Sequence, residues 1–155
     1  PAMSSFNAWV LSKSLETLQV RMEAHSRNAM DIAKRLEDHP NVEKVLYPFL
    51  PSHPQYDIAQ KQMTMGGGIV TFFIKGGVEE GKKFLNALKM CSISANLGDT
   101  RTIVTHPAST THAKLSEEER EAVDIGAGMV RTSIGLEHPD DIWADLEQAL
   151  KSSAE

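Results

Sequence analysis

The sequence predicts an α/β domain of two layers, a small sheet with helices over one face and a long helix at its start. Three features lead to this expectation. Apolar residues return every three or four positions over 5–36, which is the helical period. Ile69-Val70-Thr71-Phe72-Phe73-Ile74 is a β-branched and aromatic run, as a strand requires. Helical and strand patterns then alternate to the end of the chain, giving one layer of each. At 155 residues the chain can bury a core, and with no repeat or low-complexity segment it reads as one domain over 1–155.

The opening helix carries Leu11, Leu15, Leu18, Met22, Ala29, Ala33 and Leu36 on its stripe. Ser4 or Ser5 can cap it, a break is expected near Ser12-Lys13-Ser14 because the pattern is so long, and His39-Pro40 stops it. Val42 to Tyr47 is a short strand ended by Pro48, and Pro51-Ser52-His53-Pro54 turns into a helix from Tyr56 to Met63. Gly66-Gly67-Gly68 leads into the 69–74 strand, and Gly76-Gly77 turns the chain into a helix with Val78, Phe84, Leu85 and Leu88. Cys91, Ile93 and Ala95 alternate with serines as a short strand, and Thr102 to Thr105 adds another. A loop follows from His106 to Leu115. Ser116 and Glu119 form a capping box over one or two helical turns. Met129 to Ile134 alternates as a strand, and Pro139-Asp140-Asp141 begins a final amphipathic helix with Ile142, Leu146, Ala149 and Leu150.

Composition excludes several functions. A net charge of −5 without a basic stripe argues against nucleic acid. One cysteine, Cys91, excludes an internal disulfide framework and fits a reducing compartment. No apolar run approaches the roughly 20 residues of a membrane span and no leader pattern is present, so the expected place is the cytoplasm. Pro1 is not an initiator and the helical pattern opens beside Met3, so the chain is expected to be a piece of a longer one. The glycines 66–68 enter a strand and lack the lysine of a phosphate loop. The six histidines form no H-E-x-x-H and no i, i+4 pair on a helix, so no metal ligands are assigned, and His106 before Pro107 reads as ordering a loop. There is no G-x-S-x-G elbow, and Cys91 reads as a small buried thiol.

Arg131 is the residue with chemistry to offer. On the 129–134 strand Val130 and Ile134 share one face, and Met129, Arg131 and Ser133 share the other. With Val130 and Ile134 facing the core, Arg131 projects from the opposite side. A strand arginine is most often a solvated edge residue, but a planar guanidinium also grips a carboxylate with two parallel hydrogen bonds.

Ala95-Asn96-Leu97-Gly98-Asp99-Thr100, His106-Pro107-Ala108-Ser109-Thr110-Thr111-His112 and Met129-Val130-Arg131-Thr132-Ser133-Ile134-Gly135 carry a wider pattern. With Leu15 to Leu18, Arg21-Met22, His25, Ser52-His53-Pro54 and the 140–150 segment, it resembles the C-terminal domain of the Cys/Met-metabolism family of pyridoxal-phosphate (PLP) enzymes. The resemblance covers essentially the whole chain. It implies the small C-terminal domain of fold-type I PLP enzymes, with a mainly antiparallel sheet. It implies that Arg131 binds the substrate α-carboxylate, that Asn96 contacts the same group with Leu97 alongside, and that Thr111 lies near a catalytic lysine. That lysine and the cofactor's other ligands belong to an N-terminal domain in this family, so the chain alone is expected to bind no PLP and to be inactive.

Asn96, at a position that is serine in many members, looks more like the homoserine-ester sulfhydrylases, and the Asn96-Leu97-Gly98-Asp99-Thr100 run with Lys75-Gly76-Gly77 tilts the resemblance toward the O-succinylhomoserine type, near O-acetylhomoserine sulfhydrylase and cystathionine γ-synthase. The implied activity is γ-replacement in methionine biosynthesis: the acyl group leaves an O-acylhomoserine, and sulfide or cysteine takes its place to give homocysteine or cystathionine. The implied partners are that amino-acid substrate, the chain's own N-terminal domain and further copies in a homotetramer. A cystathionine or methionine γ-lyase domain, or a stand-alone non-enzymatic α/β module, are the alternatives.

Overall fold

In the computed structural model, which describes residues 2–154, Ser4 opens the first helix. Its Oγ accepts the Asn7 N–H at 3.2 Å, satisfying one of the free donors at a helix start, and α1 runs Ser5–Leu15. The expected break lies slightly later than Ser12-Lys13-Ser14: α2 runs Leu18–Glu37, and Glu16-Thr17 form the joint. Ser14 still bonds back to the Val10 carbonyl inside α1. The carbonyl that Ser14 frees at the joint is taken by Arg21 Nη2 at 2.8 Å, which fixes the break at that place. The apolar stripe of 5–36 is covered only in its second half. Ala29, Ile32, Ala33 and Leu36 are buried, whereas Phe6, Trp9, Leu11, Leu15 and Leu18 are exposed and α1 buries nothing. The expected domain limits, Pro1 and Glu155, lie outside the described residues.

The remaining elements are β1 Val42–Leu46, α3 Tyr56–Gln62, β2 Ile69–Ile74, α4 Val78–Ala87, β3 Ser92–Ile93, β4 Ile103–Thr105, α5 Glu117–Glu121, β5 Met129–Ser133 and α6 Pro139–Ser153. A 3₁₀ turn at Pro107–Ser109 sits inside the expected 106–115 loop. Ser116 and Glu119 exchange the two hydrogen bonds of a capping box, at 3.2 and 2.8 Å. The five strands lie in the order β1-β2-β5-β4-β3, antiparallel except for the β3–β4 pair. Helices α2, α4 and α6 cover one face. There Ile32, Leu36, Phe84, Ile142, Leu146 and Leu150 meet Val70, Phe72, Ile74, Val104 and Val130 in one apolar core.

One buried carboxylate ties the helical layer to the sheet. Asp145 of α6 accepts the backbone N–H groups of Lys89, Met90 and Cys91 at 2.8–2.9 Å, just before β3. Burial pushes its pKa up, but those three donors outweigh it and hold the carboxyl below its ordinary value. A depressed folded-state pKa means the stabilisation is present above the unfolded-state value and is lost as pH falls through the folded one. Asp145→Ala is therefore expected to cost about 2–3 kcal/mol at neutral pH, since it leaves three donors short of a charged acceptor. Urea titrations of wild type and variant should converge as pH drops below about 4; a constant difference across that range would contradict the charge-assisted role.

Candidate functional site

β5 is a central strand with β2 on one side and β4 on the other, so its backbone is held at both edges. Val130, Thr132 and Ile134 are buried toward the helices. The period of two therefore turns Met129, Arg131 and Ser133 to the far face, together with their cross-strand partners Thr71, Thr105, Ile69 and Ile103. Just beyond β5 the chain is clamped by α2 and by the 100–102 segment. His25 Nδ1 donates to the Ile134 carbonyl at 2.6 Å, which assigns the proton to that nitrogen, because a carbonyl can only accept. Asn28 Nδ2 donates to the carbonyls of Gly135 and Glu137 at 3.1 and 3.0 Å. Glu137 in turn accepts the N–H and hydroxyl of Thr102 at 2.7 and 2.9 Å. A Cβ at Gly135 would stand 2.5 Å from the Thr102 nitrogen, so only glycine lets these two backbones meet.

The 95–100 loop leaves β3 and crosses this far face. Arg131 Nη2 donates to the Ala95 carbonyl at 2.9 Å. The Gly98 N–H donates to Ser133 Oγ at 3.1 Å. Between those two contacts lie Asn96 and Leu97, both exposed; the Asn96 N–H makes a long contact of 3.4 Å to Ser94 Oγ, and its amide reaches toward solvent. Leu97 and Gly98 line a cleft of about 260 Å³ with His25, Ile69 and Ser133. Asp99, the loop's acidic residue, is turned onto Arg101 at 3.0 Å, whose hydrogen bonds lower its pKa to about 2. No ion pair to Arg131 occurs among the described residues. Among the described residues the guanidinium thus has the Ala95 carbonyl as its one partner and no carboxylate.

Thr111 is placed less directly. Its hydroxyl shares a hydrogen bond with His112 Nδ1 at 2.8 Å and makes none to Arg131. Its neighbour Thr110 bonds Thr105 Oγ1 at 3.0 Å, and Thr105 is the cross-strand partner of Arg131. The 106–112 loop therefore reaches the far face one side chain away from the arginine. His106 holds that loop in place: Nε2 donates to the Ala127 carbonyl at 2.7 Å and Nδ1 accepts from Ser109 Oγ at 2.8 Å. Its burial lowers its pKa and keeps the ring neutral, as this donor–acceptor pairing needs. Sequence reasoning misses Ser133 and Thr105 as members of the site. A signal for Ser133 exists, since it stands two residues from Arg131 on the same face. Thr105 becomes visible only once β4 is known to pair with β5.

All ten lysines are exposed, and among the described residues none donates to the 95–100 loop. A Schiff-base lysine with an acidic partner and a stacked ring is not assembled among the described residues. What the described residues bring together is one guanidinium and a loop that carries Asn96 and Leu97 across the same sheet face. A larger cleft of about 620 Å³ at the β1 end of the same face, lined by Lys44, Phe73, Glu121 and Asp124, includes none of Arg131, Asn96, Leu97 or Thr111.

Comparison with known proteins decides the family. The model of the family described as Cys/Met metabolism PLP-dependent enzyme matches residues 1–151. The chain belongs to that family. It is 52% identical over 150 residues to the L-methionine gamma-lyase of Porphyromonas gingivalis, covering 97% of this chain and 38% of the relative. It is 46% identical over 150 residues to the O-succinylhomoserine sulfhydrylase of Pseudomonas aeruginosa, covering 97% and 37%. To the O-acetyl-L-homoserine sulfhydrylase of Leptospira meyeri it is 48% identical over 154 residues, covering 98% and 35%. The chain thus spans under two fifths of each of these relatives. No described helix is long and apolar enough to cross a membrane.

Proposed function

We propose that this chain, 1–155, is the C-terminal, carboxylate-binding domain of a PLP-dependent γ-replacement enzyme that makes homocysteine or cystathionine from an O-acylhomoserine. The observation that carries the reading is the Arg131 guanidinium, with no carboxylate partner among the described residues, meeting the 95–98 loop on the far face of the sheet. Arg131 takes both carboxylate oxygens, and the Asn96 amide adds a donor from the adjacent loop. Leu97 supplies an apolar wall, and the Thr111 loop faces the lysine that the rest of the protein provides. Orienting the substrate in this way holds its α-carbon toward the reacting groups, which removes rotational freedom before chemistry begins. PLP, when bound in the intact enzyme, supplies the electron sink for bond breaking at the amino-acid carbons. The exposed apolar side chains of α1, Phe6, Trp9 and Leu15 among them, support docking against the enzyme's N-terminal domain or a further copy within a homotetramer.

A second reading, γ-lyase, is favoured by the 52% identity to a methionine gamma-lyase. Expressing the full-length gene product with PLP separates the two. Sulfide-dependent homocysteine formation from O-succinyl- or O-acetylhomoserine is the expected result. Release of α-ketobutyrate from methionine, with no sulfide-dependent product, would establish the lyase instead. In the same experiment the 155-residue chain alone, dialysed after exposure to PLP, should retain no band of bound cofactor, since on this reading the Schiff-base lysine lies in the N-terminal domain; a retained stoichiometric band would overturn that division of labour.

A further inference from the structure

We propose that Ser133 is a positioning residue for the Arg131 grip, holding the 95–98 loop against β5 by accepting the Gly98 N–H. The proposal rests on the carboxylate role of Arg131 and adds the element that keeps its loop in register. Arg131 and Ser133 stand two residues apart on one face of a strand paired on both sides, roughly 7 Å from each other along it. The loop meets them at matching points three residues apart, Ala95 on Arg131 and Gly98 on Ser133. Asn96 and Leu97 are bracketed between these contacts.

The two contacts are not equivalent. The one at Ala95 uses the guanidinium that a substrate carboxylate must engage, so an arriving substrate competes with it. The one at Gly98 uses no substrate-binding group and persists while the arginine changes partner. Ser133 is only 4% exposed, so water does not readily replace it as the acceptor. Gly98 sits at φ +77°, and a Cβ there would meet nothing within 4 Å. Glycine is needed here for the sharp left-handed turn that ends the bracketed segment, and not for space. The sheet holds the chain just before Ala95, where the Ser94 N–H donates to the Val104 carbonyl at 3.2 Å, and Ser133 holds it at Gly98; the Arg131 contact between them is the exchangeable one.

The test uses the full-length, PLP-loaded enzyme with Ser133→Ala, Ser133→Cys and, in parallel, Arg131→Leu. Losing one neutral hydrogen bond is expected to raise KM for the amino acid turned over about three- to tenfold, with kcat within twofold, and with cofactor absorbance and Tm unchanged. Hydrogen exchange of the peptide covering 95–98, measured without substrate, should quicken by a similar factor. Cysteine, similar in size but a weak acceptor, should behave as alanine does. Wild-type KM or wild-type exchange in Ser133→Ala, alongside a raised KM in Arg131→Leu, overturns the positioning role and leaves the carboxylate reading standing. A wild-type Ser133→Cys enzyme overturns it too, by showing that volume alone matters. Unchanged KM in Arg131→Leu removes the carboxylate reading and this inference with it.

Discussion

Arg131→Leu in the full-length enzyme is expected to raise KM for the amino-acid substrate by about 30-fold to several thousand-fold, while PLP stays bound. The magnitude follows from the roughly 2–5 kcal/mol lost when one partner of a charge-assisted, partly desolvated contact is removed. Leucine keeps the bulk of the stem but leaves the carboxylate without a counter-charge beside Ala95. The cofactor's spectrum should not change if the role proposed for Arg131 is confined to the substrate carboxylate. Arg131→Lys should recover only part of the loss, since an ammonium keeps the charge but cannot offer two parallel donors. An unchanged KM in the leucine variant would remove Arg131 from substrate binding.

Phe72→Ala should be the most damaging single truncation for the fold. Phe72 is fully buried at the middle of β2 and meets Phe84 of α4 edge-on, with ring centroids 5.7 Å apart and planes at 88°. Removing the ring opens a cavity between sheet and helices, at a cost of about 3–5 kcal/mol. For a domain of this size that lowers Tm by roughly 10 °C or more. Phe73→Ala is the control. Its neighbouring ring points to the other face, half-buried beside Lys44, and its truncation should cost about 1 kcal/mol. Equal losses of Tm for the two variants would contradict the assignment of the two rings to opposite faces of β2.

The two faces of β2 and β5 are legible in the amino-acid order, because the alternation of 69–74 and 129–134 is a local property. So are the capping box at Ser116 and Glu119, the helix started by Pro139, and the departure of Arg131 from the core side of its strand. Each depends on groups within about four residues of one another. The helix break falls a few residues beyond its expected place, where Arg21 satisfies a carbonyl seven positions before it, a contact that no local pattern marks. The exposure of α1 is equally hidden. A helical period marks an apolar stripe but does not say whether this chain or another one covers it.

Local order in the chain thus specifies the elements, their two-sidedness and, through resemblance, the family. Three-dimensional packing alone sets the loop bearing Asn96 over β5, brings its Gly98 N–H onto Ser133, and leaves Thr111 one side chain removed. The reason is sequence distance. The contacts that build the site join residues 35 and 36 positions apart. Nothing local specifies them until the order β1-β2-β5-β4-β3 brings β5 to the middle of the sheet and lays the 95–100 loop across it.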